Sequence, residues 1–283
     1  MFKILSKKIL NPTVTQMTIL APRVALKALA GQFIILRVDE SGERIPLTIA
    51  GYDREKGSVD IIFQVVGATT MALNEKNEGD YIQDFVGPLG KATDIQGKKR
   101  VCVVGGGVGC AIAMPVAKAF KDNGAEVVSI IGFRNKDLLI LEKEFSDISD
   151  KLIVMTDDGS YARKGNVTVP LKEMLEQGER FDGIITIGPL IMMKFVVEAA
   201  KPFNVPVTVS MNPIMIDGTG MCGGCRLSLN GENGRETKFA CVDGPDFDGY
   251  RVDFDEAMTR GRTYSDFEGK AREAACNLFK RGE

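Results

Sequence analysis

Residues 100–109 read Arg100-Val-Cys-Val-Val-Gly105-Gly106-Gly107-Val108-Gly109, and the residues that follow, CAIAMPVAKAFKDNG, carry a helical period. An apolar, β-branched run that ends in glycines and opens a helix is the turn a dinucleotide pyrophosphate requires. The glycines let backbone approach closely, and the helix N-terminus offers free N–H groups and the positive end of its dipole. Gly105, Gly106, Gly107 and Gly109 are the candidate contacts. A plain tight turn is the competing reading, and the context of the run weighs against it.

That context is a series of units of the same kind. EVVSIIGF, KLIVMTDD, GIITIGP and VPVTVS repeat the buried-strand texture, and LLILEKEFSDIS, VPLKEMLEQGE and IMMKFVVEAAKPF lie between them with helical spacing. Alternation of strand and helix implies a five-stranded parallel α/β domain over residues 99–211. Open sheets of this kind bind ligands at the carboxyl ends of their strands. Asp157 and Asp158 end the third strand there, and Gly188 and Pro189 the fourth. The second strand ends in GFRNKD, which offers both Arg134 and Asp137, so NAD and NADP stay unseparated. Arg134 suits a 2'-phosphate, and a solvated charge is its bland reading.

Upstream, residues 1–98 hold short strand-like runs: FKILSKKIL, VTQMTILAP, GQFIILRVD, IPLTIAGYD, SVDIIFQVV and DYIQDFVGPLG, with one helical candidate at ATTMALNEKN. Six strands at this spacing imply a small antiparallel β-barrel. Arg44-Ile-Pro46-Leu47-Thr48 and Gly67-Ala-Thr-Thr70 are candidates for a second nucleotide, because Arg pairs with phosphate and a hydroxyl bonds a ring edge or a phosphate oxygen. On chemistry alone, a solvated Arg44 and an ordinary strand Thr48 read equally well.

Downstream lies Asp217-Gly-Thr-Gly-Met-Cys222-Gly-Gly-Cys225, then fifteen residues, then Cys241. The spacing is that of a plant-type 2Fe-2S site, with Asp in the first ligand position. Gly218, Gly220, Gly223 and Gly224 allow backbone amides to turn toward sulfur. A zinc knuckle is the alternative, but a closed zinc site prefers four Cys or His ligands and the chain has no His. An unliganded turn is the remaining one. Two Asn-Gly pairs, Asn230-Gly231 and Asn233-Gly234, predict a hairpin that returns Cys241 to the loop. This module spans residues 212–249, and a charged, partly helical arm follows over 250–283.

The 283 residues are 44% apolar and 26% charged with a net charge of −2, an ordinary globular composition that excludes a broad basic field for nucleic acid. No apolar run approaches the roughly 18 residues that span a bilayer, so no membrane partner is expected. The N-terminus MFKILSKKILNP has too short an apolar core for a signal peptide, and the expected compartment is the cytoplasm. Six cysteines do not make a disulfide scaffold in such a chain. Cys102, Cys110 and Cys276 read as small buried or half-buried residues. Without His the usual neutral-pH general base is missing, which favours redox chemistry over hydrolysis.

In this order the pieces resemble the ferredoxin-NADP reductase superfamily over nearly the whole chain. IPLTIAGYD, VGPLGKATDI, GGGVGCAIAMP, GFRNKDLLILEKEF, TDDGSYARKG and MIDGTGMCGGCRLSL through KFACVDGPDFDG are similar to the small subunits of NADH-dependent reduced ferredoxin:NADP oxidoreductases, also labelled sulfide dehydrogenase β subunits. The electron-transfer subunits of dihydroorotate dehydrogenase B are close relatives. The resemblance implies an FAD-binding barrel, a domain for NAD(H) or NADP(H), and a C-terminal 2Fe-2S module. It implies that Thr48 faces the reactive edge of the flavin with Pro46 and Leu47 beside it, and that Arg44, Gly67 and Thr70 hold the FAD pyrophosphate. Gly105 to Gly109, Asp157, Asp158, Gly188 and Pro189 then take the nicotinamide nucleotide, and Asp217, Cys222, Cys225 and Cys241 the cluster.

The chain departs from the superfamily at four points. Arg44 lies four residues before Thr48 instead of three, Thr69 replaces a glycine, and Ile187 replaces a cysteine. Asp217 stands where the dihydroorotate subunits have Cys, which matches the bifurcating and sulfide dehydrogenase type. The implied partner is a larger subunit with its own FAD and two 4Fe-4S clusters, resembling the glutamate synthase small subunit, through which ferredoxin is served. A zinc-containing nucleotide-sensing module is the non-enzymatic alternative.

Overall fold

Strands with alternating burial open the chain: β1 (Phe2–Asn11), β2 (Val14–Leu20), β3 (Phe33–Arg37), β4 (Arg44–Asp53) and β5 (Ser58–Gln64), with the short helix α1 (Pro22–Ala25) between β2 and β3. Helix α2 (Ala68–Glu75), β6 (Tyr81–Ile82) and β7 (Asp84–Leu89) follow. The structure, a computed structural model, describes residues 1–232 and 234–281, with side chains to Ala274; Asn233 and the Cys276 side chain lie outside the described residues. The antiparallel order is β6-β1-β2-β5-β4-β3-β7. The run expected as one last strand bends at Gln83, whose amide bonds to the carbonyls of Arg37 and Val38 at 3.1 and 3.2 Å. One half therefore pairs with β1 and the other with β3, and the sheet closes as a barrel. Ile4, Met17, Ile34, Leu36, Ile61 and Phe63 fill its interior.

The α/β domain contains β8 (Arg100–Gly106), α3 (Cys110–Asp122), β9 (Glu126–Phe133), α4 (Glu142–Ile148) and β10 (Lys151–Thr156). It continues through β11 (Arg163–Lys164), α5 (Thr168–Glu176), β12 (Gly183–Ile187), α6 (Leu190–Ala200) and β13 (Val207–Ser210). All five expected strands are present and parallel, and β11 extends one edge. The order β11-β10-β9-β8-β12-β13, with β16 (Asp246–Asp248) beyond β13, puts the topological switch beside β8, where the glycines are. Along β8, Val101 and Val103 face one helical layer while Cys102 and Val104 face the other, so both sides of the strand are buried.

Strands β14 (Arg226–Gly231) and β15 (Gly234–Phe239) form the expected hairpin, with Gly231 opposite Gly234. Helix α7 (Ala240–Asp243) carries Cys241 back to the loop. The chain then re-enters the α/β sheet as β16 (Asp246–Asp248), an antiparallel edge beside β13. Helices α8 (Phe254–Gly261) and α9 (Ser265–Arg281) end it; α8 lies against α6, and α9 against α2 of the barrel. One apolar core runs from Phe33 and Ile35 of the barrel through Val104 and Val209 of the sheet to Cys225, Leu227 and Cys241. The three modules are thus fused by burial, not strung on linkers.

Candidate functional site

The glycine run becomes a single 3₁₀ turn at Gly107–Gly109 between β8 and α3. Gly107 has φ +55°, and space lies open where its Cβ would be. A Cβ at Gly109 would sit 2.5 Å from the Ile187 carbonyl oxygen and 2.7 Å from Gly188 Cα, and one at Gly188 would sit 3.1 Å from the Gly106 oxygen. The turns after β8 and β12 are therefore pressed together backbone to backbone at Gly109, with the Met192 side chain packed against Gly106 and Gly188 beside them. Gly105 lies beneath, where a Cβ would meet Cys110 Sγ at 2.9 Å.

Above these turns a cleft of about 560 Å³ separates the sheet from the barrel, walled by Gly106, Gly107, Gly109, Gly188 and Pro189, with Arg134 and Asp157 further along. Asn11, Thr13 and Gln64 form the barrel wall. Asn11 Nδ2 donates to the Leu138 carbonyl at 3.1 Å while its Oδ1 accepts from the Thr13 amide at 2.8 Å, which pins the barrel to the sheet at the cleft's end. Asp158 is not part of the wall. It is exposed and accepts from the Ser160 amide at 2.9 Å, and hydrogen bonds from the Ser160 hydroxyl and amide hold its carboxyl below the usual range. Asp137 is likewise exposed and away from the wall.

On the barrel, Arg44 is exposed at the start of β4, while Pro46, Leu47 and Thr48 are half-buried opposite Ile35, Ile34 and Phe33. Gly67 caps α2. Thr70 Oγ accepts from the Val66 and Gly67 amides at 3.0 Å each and donates to the Gly67 carbonyl at 2.9 Å, so its hydroxyl shapes the helix start. Nothing lies within 4 Å of a Cβ added at Gly67. An open cradle at a helix N-terminus, near a half-covered apolar strand, fits a flavin nucleotide.

In the cluster loop, Cys225 and Cys241 are buried with their sulfurs 3.1 Å apart. Burial, and then the neighbouring Cys225, push the Cys241 thiol up to about 12. Cys222 is exposed. Asp217 accepts from the Thr219 amide at 2.8 Å and the Cys222 amide at 3.0 Å, bonds that keep its carboxyl below the ordinary range. Gly218, Gly220 and Gly223 have φ of +76°, +81° and +68°, which only glycine adopts freely. Among the described residues no three acidic or thiol side chains are gathered as a finished metal site. The donor set still fits an iron-sulfur cluster, since two pre-paired buried sulfurs need a cation to ionise. Cys222 and Asp217 are the further thiol and carboxylate of the same loop.

The loop leans on the barrel. A Cβ at Gly218 would meet Leu89 Cδ1 at 2.7 Å and Ile35 Cδ1 at 2.9 Å, and Ile35 is paired with Pro46. The cysteine loop thus packs against the strand that pairs with β4.

Residues 212–253 match the iron-sulfur cluster binding domain of dihydroorotate dehydrogenase B. The chain is 34% identical to the electron transfer subunit of dihydroorotate dehydrogenase B (NAD(+)) from Streptococcus pneumoniae, over 77% of this chain and 86% of that one. It belongs to the dihydroorotate dehydrogenase B electron-transfer subunit family. A homologue of that subunit from Thermotoga maritima is 48% identical over 88% of this chain and 86% of its own. Among solved structures, a chain of the NADH-dependent reduced ferredoxin-NADP oxidoreductase, studied for flavin-based electron bifurcation, superposes with a TM-score of 0.89 at 45% identity, covering 96% of both chains. Family and fold together show FAD and an iron-sulfur cluster as the cofactors of this electron-transfer subunit type, as the sequence led us to expect.

Several wall residues escape the sequence reading. Ser210 ends β13 and Asn212 follows it; both line the cleft, and their place at a strand's carboxyl end was the available signal. Ile191 and Phe195 of α6 line it too, at 47% and 52% exposure. Asn11 and Thr13 carry no signal, because the contact bridges 127 residues of sequence. Among the described residues no helix is long and apolar enough to cross a membrane.

Proposed function

We propose that this chain is the FAD and 2Fe-2S subunit of a flavin-based bifurcating NADH-dependent ferredoxin:NADP oxidoreductase, working in the cytoplasm. The observation that carries the reading is the seating of the cysteine loop on the barrel: Gly218 packs against Ile35 and Leu89, and Ile35 pairs with Pro46 of β4. FAD bound there would supply hydride exchange with the nicotinamide, and an iron-sulfur cluster in the loop would supply single-electron transfer onward.

The chain's own residues position and shield. Gly106, Gly107, Gly109 and Gly188 receive the nucleotide's phosphates on bare backbone, with Gly105 packing beneath and Pro189 and Asp157 beside them. Asp158 acts by fixing the loop that carries Asp157, through its bond to Ser160. Thr48 presents a hydroxyl to the flavin's reactive edge, Pro46 and Leu47 cover the ring, and Gly67, Thr70 and Arg44 hold its pyrophosphate. Asp217, Cys222, Cys225 and Cys241 hold the cluster. The domains that do this are 1–98, 99–211, 212–249 and the arm 250–283.

Around the cluster loop, Ile214, Ile216, Met221 and Val242 are exposed, Met221 by 85%. This apolar collar is the surface we assign to the larger FAD and 4Fe-4S partner, of the kind related to the glutamate synthase small subunit, which passes electrons to ferredoxin. Anaerobically purified native complex should contain FAD and two irons per copy of this chain, and NADH should bleach its flavin; zinc in place of iron would sink the proposal. The family match over 212–253 supports a second reading, a dihydroorotate dehydrogenase subunit. The large subunit that co-purifies decides between them.

A further inference from the structure

The strand that returns from the cluster module carries a buried acid. Asp246 begins β16 and lies opposite Ser210, the last residue of β13. Thr93 Oγ1, from the linker between β7 and β8, donates to Asp246 Oδ2 at 2.6 Å. Thr93 is itself clamped, since its amide bonds to the Ala30 carbonyl at 3.0 Å and Gly31 leaves no room for a Cβ beside it. Asp246 Oδ1 is sealed from water without a hydrogen bond of ordinary geometry. A buried carboxylate in that state is costly, and the neutral acid is not. Burial raises this carboxyl's pKa, opposed by the Thr93 and Ser210 hydroxyls that face it. The surrounding backbone is fixed as well: the Lys91 amide bonds to the Gly244 carbonyl at 2.6 Å and the Met211 amide to that of Pro245 at 2.9 Å.

As the neutral acid, Asp246 accepts from Thr93 at Oδ2 and carries its proton on Oδ1. Ser210 is the hydroxyl opposite, and it also lines the cleft. We propose that Ser210 is a further ligand-binding residue of the cleft, and that Asp246 is its positioning residue: Oδ1–H donates to Ser210 Oγ and frees the serine's own O–H to donate into the cleft. The recipient is a carbonyl acceptor on the redox ring held there, either the nicotinamide carboxamide or a flavin pyrimidine carbonyl. This inference rests on the proposed use of the cleft by nicotinamide and flavin.

The test uses the holo-complex and reads NADH-driven flavin reduction by stopped flow, together with the flavin's absorption spectrum and midpoint potential. Ser210→Ala should lower the reduction rate or raise the half-saturating NADH concentration about tenfold, the scale of one lost hydrogen bond to a bound ligand. Asp246→Ala should reproduce that loss, while Asp246→Asn, which can accept from Thr93 and donate to Ser210, should restore most of it. Ser210→Ala combined with Asp246→Ala should be no worse than either alone. A change confined to NADH saturation places the acceptor on the nicotinamide, and a change in flavin spectrum or potential places it on the flavin. Additive losses, or an Asn variant as impaired as Ala, would overturn the inference. Its failure would be distinct from that of the functional reading, because wild-type complex would still hold FAD and iron and be bleached by NADH.

Discussion

Gly109 offers a measurement in which sterics and ligand binding separate. In Gly109→Ala the new Cβ meets backbone atoms, the Ile187 carbonyl oxygen at 2.5 Å and Gly188 Cα at 2.7 Å, and neither can swing aside as a side-chain tip would. The turn after β8 must lift from the turn after β12, at a cost of about 1–3 kcal/mol for overpacking of this kind. Gly109 has φ −58°, so no dihedral strain adds to it. Gly107→Ala is the control of opposite cause. Its Cβ enters open space, yet φ +55° costs an L-residue about 1–2 kcal/mol. Gly107→Ala should lower the melting temperature by about 2–4 °C per kcal/mol. Gly109→Ala should also weaken the nucleotide, about 5- to 150-fold if the whole displacement falls on binding, with flavin and iron content unchanged. Calorimetry and NADH titration of the anaerobic holoprotein read both quantities. Wild-type affinity and stability in Gly109→Ala would refute the close approach of the two turns.

Other substitutions probe the remaining contacts. Phe120→Ala should destabilise the α/β domain by about 3–5 kcal/mol, read by urea denaturation, because the ring is wholly buried under β8 and β9. Asp217→Cys should retain a cluster with a shifted midpoint potential, since ligand type is one of the protein's controls on potential, and an unaltered spectrum and potential would remove Asp217 from the ligand set. Arg134→Ala should raise the KM for NADPH more than that for NADH, as Arg134 is the cation on the cleft wall beyond β9; equal effects on both would leave it a solvated charge. Asp182 accepts from the Arg100 and Lys99 amides at 2.9 and 2.8 Å, and these bonds lower its pKa below the ordinary 3.8. A depressed folded-state pKa stabilises above the ordinary value and loses that contribution as pH falls through the folded one. The wild type should therefore lose stability below about pH 4, and Asp182→Asn should lose less between pH 6 and pH 3, as followed by urea midpoints.

The α/β domain was the most legible part of the sequence, because strands buried on both faces are written as apolar runs and the helices between them keep their own period. The barrel was legible as a set of strands but not in its closure: the bend at Gln83 depends on two carbonyls more than 40 residues upstream. The iron-sulfur module was readable from cysteine spacing, and the family match over residues 212–253 agrees with it. Its neighbours were not, and Gly218 against Ile35 and Leu89 joins segments that share no pattern. Asp158 shows the limit within a motif. Two adjacent aspartates look equivalent in a string, but successive residues at a strand end point to opposite sides, and only Asp157 reaches the cleft.

The return of the chain through β16 explains how three modules hold one site. A cluster module attached only through the loop after β13 would be free to swing, and the separation between flavin and cluster would vary with it. Instead the segment after Cys241 is stitched to the linker after the barrel by Lys91 and Gly244, and to the sheet by the Ser210–Asp246 pairing. Tyr250 adds a bond from its hydroxyl to the Val205 carbonyl at 2.6 Å, and Arg235 of the hairpin reaches Asp253 at 2.6 Å. Four attachments on different elements leave the module no hinge. An electron path needs that rigidity more than it needs any single contact.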